Sequence, residues 1–120
     1  MDHAAPILVV DDDPELRETL GELLVQEGYD TRLAENGKRA LEFLRHGGRP
    51  RLILLDLMMP EMNGWQFREE QLKDEELRDI PVVVMTASRG FRKDDISVQE
   101  ILFKPVGLGE IIDAVERNAR

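Results

Sequence analysis

The chain contains no cysteine. That excludes disulfides, thiolate metal sites and cysteine nucleophiles. It also lacks any apolar run near the ~18 residues that a membrane-spanning helix needs. Its start, MDHAAP, has neither the basic head nor the apolar core of a signal peptide, so a cytoplasmic location is expected. Basic charge is scarce: 16 Lys and Arg against 25 Asp and Glu give a net charge of −9. Non-specific nucleic-acid binding needs basic surface to displace counterions, so neither direct nucleic-acid contact nor a membrane partner is expected. The balance suits a cation site or a basic protein partner, although an acidic surface also serves solubility alone. No Gly-rich phosphate loop follows the first apolar segment, and Gly47-Gly48 lacks the lysine of such a loop.

What is present is alternation. A length of 120 residues, 42% of them apolar, suits one domain with a packed core. Residues 6–10 (PILVV) read as a buried strand. Residues 14–26 place Leu16, Leu20, Leu23 and Leu24 at helical spacing, with Asp13 as N-cap, Pro14 at the first helical position and Gly28 as the stop. Residues 29–34 read as a second strand and 37–45 as a helix after the Glu35-Asn36-Gly37 turn. Residues 51–55 form a third strand, 64 to about 72 a helix, and 74–79 a charged connection that reads as solvated, with no structure fixed by its pattern. Residues 81–85 are a fourth strand, 101–103 belong to a fifth, and 107–118 form a final amphipathic helix. Short apolar strands separated by crossover helices predict a parallel sheet covered on both faces, a doubly wound α/β domain. Its functional site lies beyond the carboxyl ends of the strands.

Those ends carry the chemistry. The first strand runs into Asp11, Asp12 and Asp13, the third into Asp56, the fourth into Thr86 and the fifth into Lys104. Crowded carboxylates repel unless a cation neutralises them. An all-oxygen set suits Mg²⁺. A lysine and a hydroxyl beside a cation make a cradle for a phosphoryl group, with Asp56 as the candidate nucleophile. Asp13, before Pro14, is assigned to the helix cap. Asp11, Asp13, Glu15 and Glu22 match positions of a calcium loop, but Leu16 stands where that loop requires glycine, and the calcium reading fails. Met58, Met59 and Met62 do not make a sulfur site, and His3 and His46 have no assigned role.

Four pieces, ILVVDDD at 7–13, LILLDLMMPEMNG at 52–64, VVVMTA at 82–87 and FKP at 103–105, resemble in order and spacing the receiver domain of two-component response regulators. The resemblance implies a flavodoxin-like (βα)5 fold, strand order 2-1-3-4-5, with one receiver over residues 1–120 and no output domain in this chain. It implies that Asp56 is the phosphoacceptor, and that Asp11, Asp12, Asp56 and the backbone carbonyl of Met58 hold Mg²⁺, for which Mn²⁺ could substitute. Thr86 is then the switch hydroxyl, and Lys104 pairs with phosphoryl oxygens across a cis Lys104–Pro105 peptide. Pro60 and Gly64 shape the loop and open the third helix. Met58 and Ser88 flank the water that ends the phosphorylated state. The implied partners are a sensor histidine kinase or phosphotransfer protein and a downstream protein or fused output domain, with room for a weak homodimer.

Two departures stand out. Thr86 to Lys104 spans 18 positions, shorter than is common in the family, and SRGFRKDDISVQEI has few apolar residues at helical spacing. A shortened, displaced or irregular helix is therefore predicted between the fourth and fifth strands. The usual aromatic switch position holds Ile101, and Phe103 falls on the same face by strand alternation. The alternatives are a pseudo-receiver that binds partners without phosphorylation and a small aspartyl phosphatase. The latter would need an Asp-x-Asp-x-Thr or -Val arrangement, whereas Glu15 follows Asp11 and Asp13 here.

Overall fold

A computed structural model describes residues 5–88 and 96–120. Five strands, β1 Ile7–Val10, β2 Thr31–Ala34, β3 Leu52–Asp56, β4 Val82–Thr86 and β5 Glu100–Phe103, form one sheet in the order β2-β1-β3-β4-β5. All four strand pairs are parallel. Helices α1 Pro14–Gln26, α2 Gly37–Arg45, α3 Gly64–Lys73 and α4 Leu108–Asn118 cover it. This is the doubly wound α/β domain that the alternation implied, with the flavodoxin-like strand order that the resemblance implied.

Side chains alternate across a strand, so the sheet separates two apolar layers. Leu8, Val10, Ile53, Leu55, Val82 and Val84 point to one side, where Ala40, Leu41, Leu44 and Phe67 of α2 and α3 meet them. Ile7, Val9, Leu52, Leu54, Val83 and Met85 point to the other, against Leu20 and Leu24 of α1 and Ile111, Ala114 and Val115 of α4. The central strands are buried along their whole length, which is why their sequences are uniformly apolar.

Strand ends differ from the sequence reading by about a residue. β3 includes Asp56 and β4 includes Thr86, because Asp56 still pairs with Met85 in the ladder and Thr86 with Phe103. The backbone stays in the sheet while the polar side chain reaches the rim. The helix predicted between β4 and β5 falls largely on residues 89–95, outside the described residues; 96–99 form turn and bend. The 74–79 connection is more than a solvated run. Leu77 is buried, and the buried Gln71 amide donates to the carbonyls of Leu77 (2.8 Å) and Ile80 (3.0 Å). Gln71 also accepts from Arg68 Nη1 at 2.7 Å, and Arg68 donates to the Ser97 carbonyl through Nε and Nη2.

Candidate functional site

The rim is built where the ladder ends. The Asp11 N–H donates to the Ala34 carbonyl (3.2 Å), Leu57 N–H to Met85 (3.2 Å) and Lys104 N–H to Thr86 (2.7 Å). These bonds place Asp11, Asp56, Thr86 and Lys104 side by side. Asp11 and Thr86 are fully buried, Asp56 is nearly so, and Asp12 is exposed. One carboxylate oxygen from each of Asp11, Asp12 and Asp56 lies within 4.8 Å of the others. Lys104 Nζ bridges two of them, 3.4 Å from Asp11 Oδ2 and 3.5 Å from Asp56 Oδ1. Thr86 Oγ1 accepts from the Ser88 N–H at 3.0 Å, which leaves the hydroxyl proton free to donate elsewhere. The Lys104–Pro105 peptide is cis.

Local rules explain the surroundings. Asp13 turns away from the cluster and caps α1, accepting from the N–H groups of Glu15 (3.0 Å) and Leu16 (3.4 Å). Its own N–H donates to Asp11 Oδ1 at 2.9 Å. Arg17 Nη1 donates to the Asp11 carbonyl at 2.7 Å, an anchor absent from the sequence reading although the arginine stands one turn into α1 beside an acidic strand end. After Asp56, the Met58 N–H approaches Asp56 Oδ1 at 3.4 Å, and the Met58 side chain is 60% exposed. Asn63 and Gln66 form a reciprocal capping box that starts α3. Gly64 is required by close approach, since a Cβ there would sit 2.9 Å from the Leu57 Cα. Met59 is buried in the first apolar layer, and the partly buried Met62 packs against that layer. His46 Nδ1 lies against the Glu42 carbonyl, away from the rim, and His3 lies outside the described residues.

The electrostatics are strained. Burial, and then the charge on Asp11, push the Asp56 carboxyl from 3.8 up to about 7; Lys104 opposes them. Among the described residues, three carboxylates gather around the Lys104 ammonium, which contacts two of them. The donor set is all oxygen and carries excess negative charge, which fits a hard divalent cation. A crevice of about 260 Å³ lined by Asp13, Leu16, Met85, Lys104 and Pro105 borders the cluster. Two wider grooves, about 600 and 530 Å³, flank β2 at the sheet edge, away from it.

The family model for the response regulator receiver domain matches residues 7–116. The chain is 35% identical over 118 residues to response regulator Rre1 of a Synechocystis species, covering 93% of this chain and 50% of that protein. It is 37% identical over 119 residues to a CpxR homolog of Haemophilus influenzae, a transcriptional regulatory protein, covering 95% and 50%. It thus spans about half the length of these curated relatives. Among solved structures, the receiver domain of a histidine kinase from Syntrophus aciditrophicus superposes with a TM-score of 0.84 at 33% identity, covering 95% of this chain and 89% of that one. The response regulator TrrA of Thermotoga maritima, solved in complex with Mg²⁺ and BeF, gives 0.82 at 35% identity and covers 94% and 97%. With the matching fold and the acidic rim at its strand ends, the chain belongs to the response regulator receiver domain family of two-component signalling systems.

Proposed function

We propose that this receiver accepts a phosphoryl group on Asp56 from a histidine kinase or phosphotransfer protein and passes the change to a downstream protein or attached output domain, in the cytoplasm. The observation that carries this reading is the buried Asp56 carboxylate facing Asp11 and Asp12 with Lys104 Nζ between Asp11 and Asp56. The TrrA complex with Mg²⁺ and BeF supports it. Asp11, Asp12, Asp56 and the Met58 carbonyl would hold Mg²⁺, or Mn²⁺ in its place. The cation supplies charge neutralisation at the transferring oxygens.

The chain's own groups do the rest. An Asp56 carboxylate oxygen forms an O–P bond as the donor's N–P bond breaks, and the electron pair leaves on the donor imidazole. Lys104 meets the developing negative charge, and the Thr86 hydroxyl donates to it. Thr86 would move toward the phosphoryl group, a population shift between two states. Phe103 is its ladder partner, and Ile101, at the usual aromatic switch position, pairs with Val84. Water then attacks phosphorus, the P–O bond to Asp56 breaks, and inorganic phosphate leaves; Met58 and Ser88 flank its approach. The domain catalyses only its own phosphorylation and dephosphorylation.

Intact mass after incubation with acetyl phosphate and Mg²⁺ tests this. A gain of about 80 Da is expected, lost in Asp56→Asn and lost with a chelator. If neither acetyl phosphate nor beryllofluoride modifies or binds the wild type, the phospho-switch reading fails and a pseudo-receiver takes its place.

A further inference from the structure

The groove between α1 and β2 combines three features that each cost stability. Gly21 sits buried in the middle of α1, where alanine would be the better helix former. Its helical backbone does not require glycine; Leu33 packs against it, and a Cβ there would lie 3.2 Å from Leu33 Cδ2, so a larger residue would press Leu33 outward into the groove. Glu18 and Glu22 stand one turn apart on the groove wall, an unfavourable like-charge pair, and neither has an ion-pair partner among the described residues. Val25 and Leu33, 58% and 40% exposed, line the same groove. Helical rotation puts Glu18, Gly21 and Val25 on the side of α1 away from Leu16, hence away from the crevice beside Lys104. No part of the phosphoryl chemistry uses this surface.

We infer that the α1–β2 groove is a second docking surface, and that its occupant is a basic amphipathic helix of a partner protein. An apolar residue of that helix would cover Gly21 and Leu33, while its lysine or arginine neighbours meet Glu18 and Glu22. Charge complementarity selects this occupant: the exposed apolar pair is walled by two carboxylates with no ion-pair partner among the described residues, in a chain of net charge −9. A site kept open at the expense of local stability is what a binding function requires.

The test uses the full chain and a helical peptide of about 18 residues built only from leucine and lysine, leucines on one face. Peptide is titrated into isotope-labelled protein, and amide shifts and fluorescence anisotropy are read. Saturable shifts centred on residues 18–33 are expected, absent with a peptide whose leucines are replaced by serine. Gly21→Ala should weaken binding about tenfold while thermal stability stays equal or rises, since half-exposed Leu33 can yield. Glu18→Gln with Glu22→Gln should weaken it similarly with the fold intact. Shifts centred on Asp11, Asp12 and Asp56, or unchanged affinity in Gly21→Ala, would overturn the proposal. So would self-association in sedimentation that the Glu18 and Glu22 substitutions abolish, which would assign the groove to a second copy of the chain.

Discussion

Asp56 is held in a state its ordinary chemistry opposes. Its carboxyl is raised from 3.8 to about 7 by burial and by Asp11. The folded chain therefore binds this proton more tightly than the unfolded chain does. The associated stability is fully present below about pH 3.8 and is lost as pH rises through about 7. Asparagine at this position is neutral throughout. In metal-free buffer at pH 8, Asp56→Asn should be more stable than wild type by on the order of a few kcal/mol. The gap should shrink steadily toward pH 4. Thermal melts across pH with a chelator check this, and a pH-independent gap would contradict it. Added Mg²⁺ should then raise the wild-type melting temperature more than that of the variant.

At the scale of elements, α3 shows what apolar periodicity does and does not reveal. The helix itself was read from residue 64 to about 72; its buried Phe67 and its Asn63–Gln66 capping box are local features of that stretch. Gln71 was not. A glutamine in GWQFREEQLK looks solvated, yet it is fully buried, because its partners are carbonyls of a connection whose path no local pattern encodes. The same holds for Arg68 and Ser97, 29 positions apart in the chain. Gln71→Leu should thus cost on the order of 2–4 kcal/mol in urea unfolding, since it removes the amide donor from the Ile80 carbonyl and the acceptor from Arg68 Nη1, while the Leu77 carbonyl keeps the Ile80 N–H. Leu72→Ala next door, at an exposed position, should cost within about 0.5 kcal/mol. A similar loss in both would show that the amide bonds carry little.

At the scale of the molecule, most of the architecture and the polar rim were legible, because a buried parallel sheet writes itself as short apolar runs, and anything polar at their ends stands out. The shortened or irregular helix read between β4 and β5 falls largely on residues 89–95, outside the described residues. The two faces of the sheet also make a prediction. Ile53 belongs to one apolar layer and Ile111 to the other. Ile53→Val and Ile111→Val should each cost about 0.5–1.5 kcal/mol. The double variant should match their sum within about 0.5 kcal/mol. Coupling well beyond that would mean that the sheet transmits packing changes from face to face.

The last rungs of the ladder, donated by Asp11, Leu57 and Lys104, tie the reactive rim to the most buried part of the sheet. Amide hydrogens at those three positions should exchange with deuterium on the slow timescale of the central strands, reached only by large-scale opening. Those of Met58 and Glu61, one and four residues beyond Leu57 in the loop, should exchange orders of magnitude faster. Rigidity would then end within two residues of Asp56, so the same aspartate would be anchored on its strand side and free to report on its loop side.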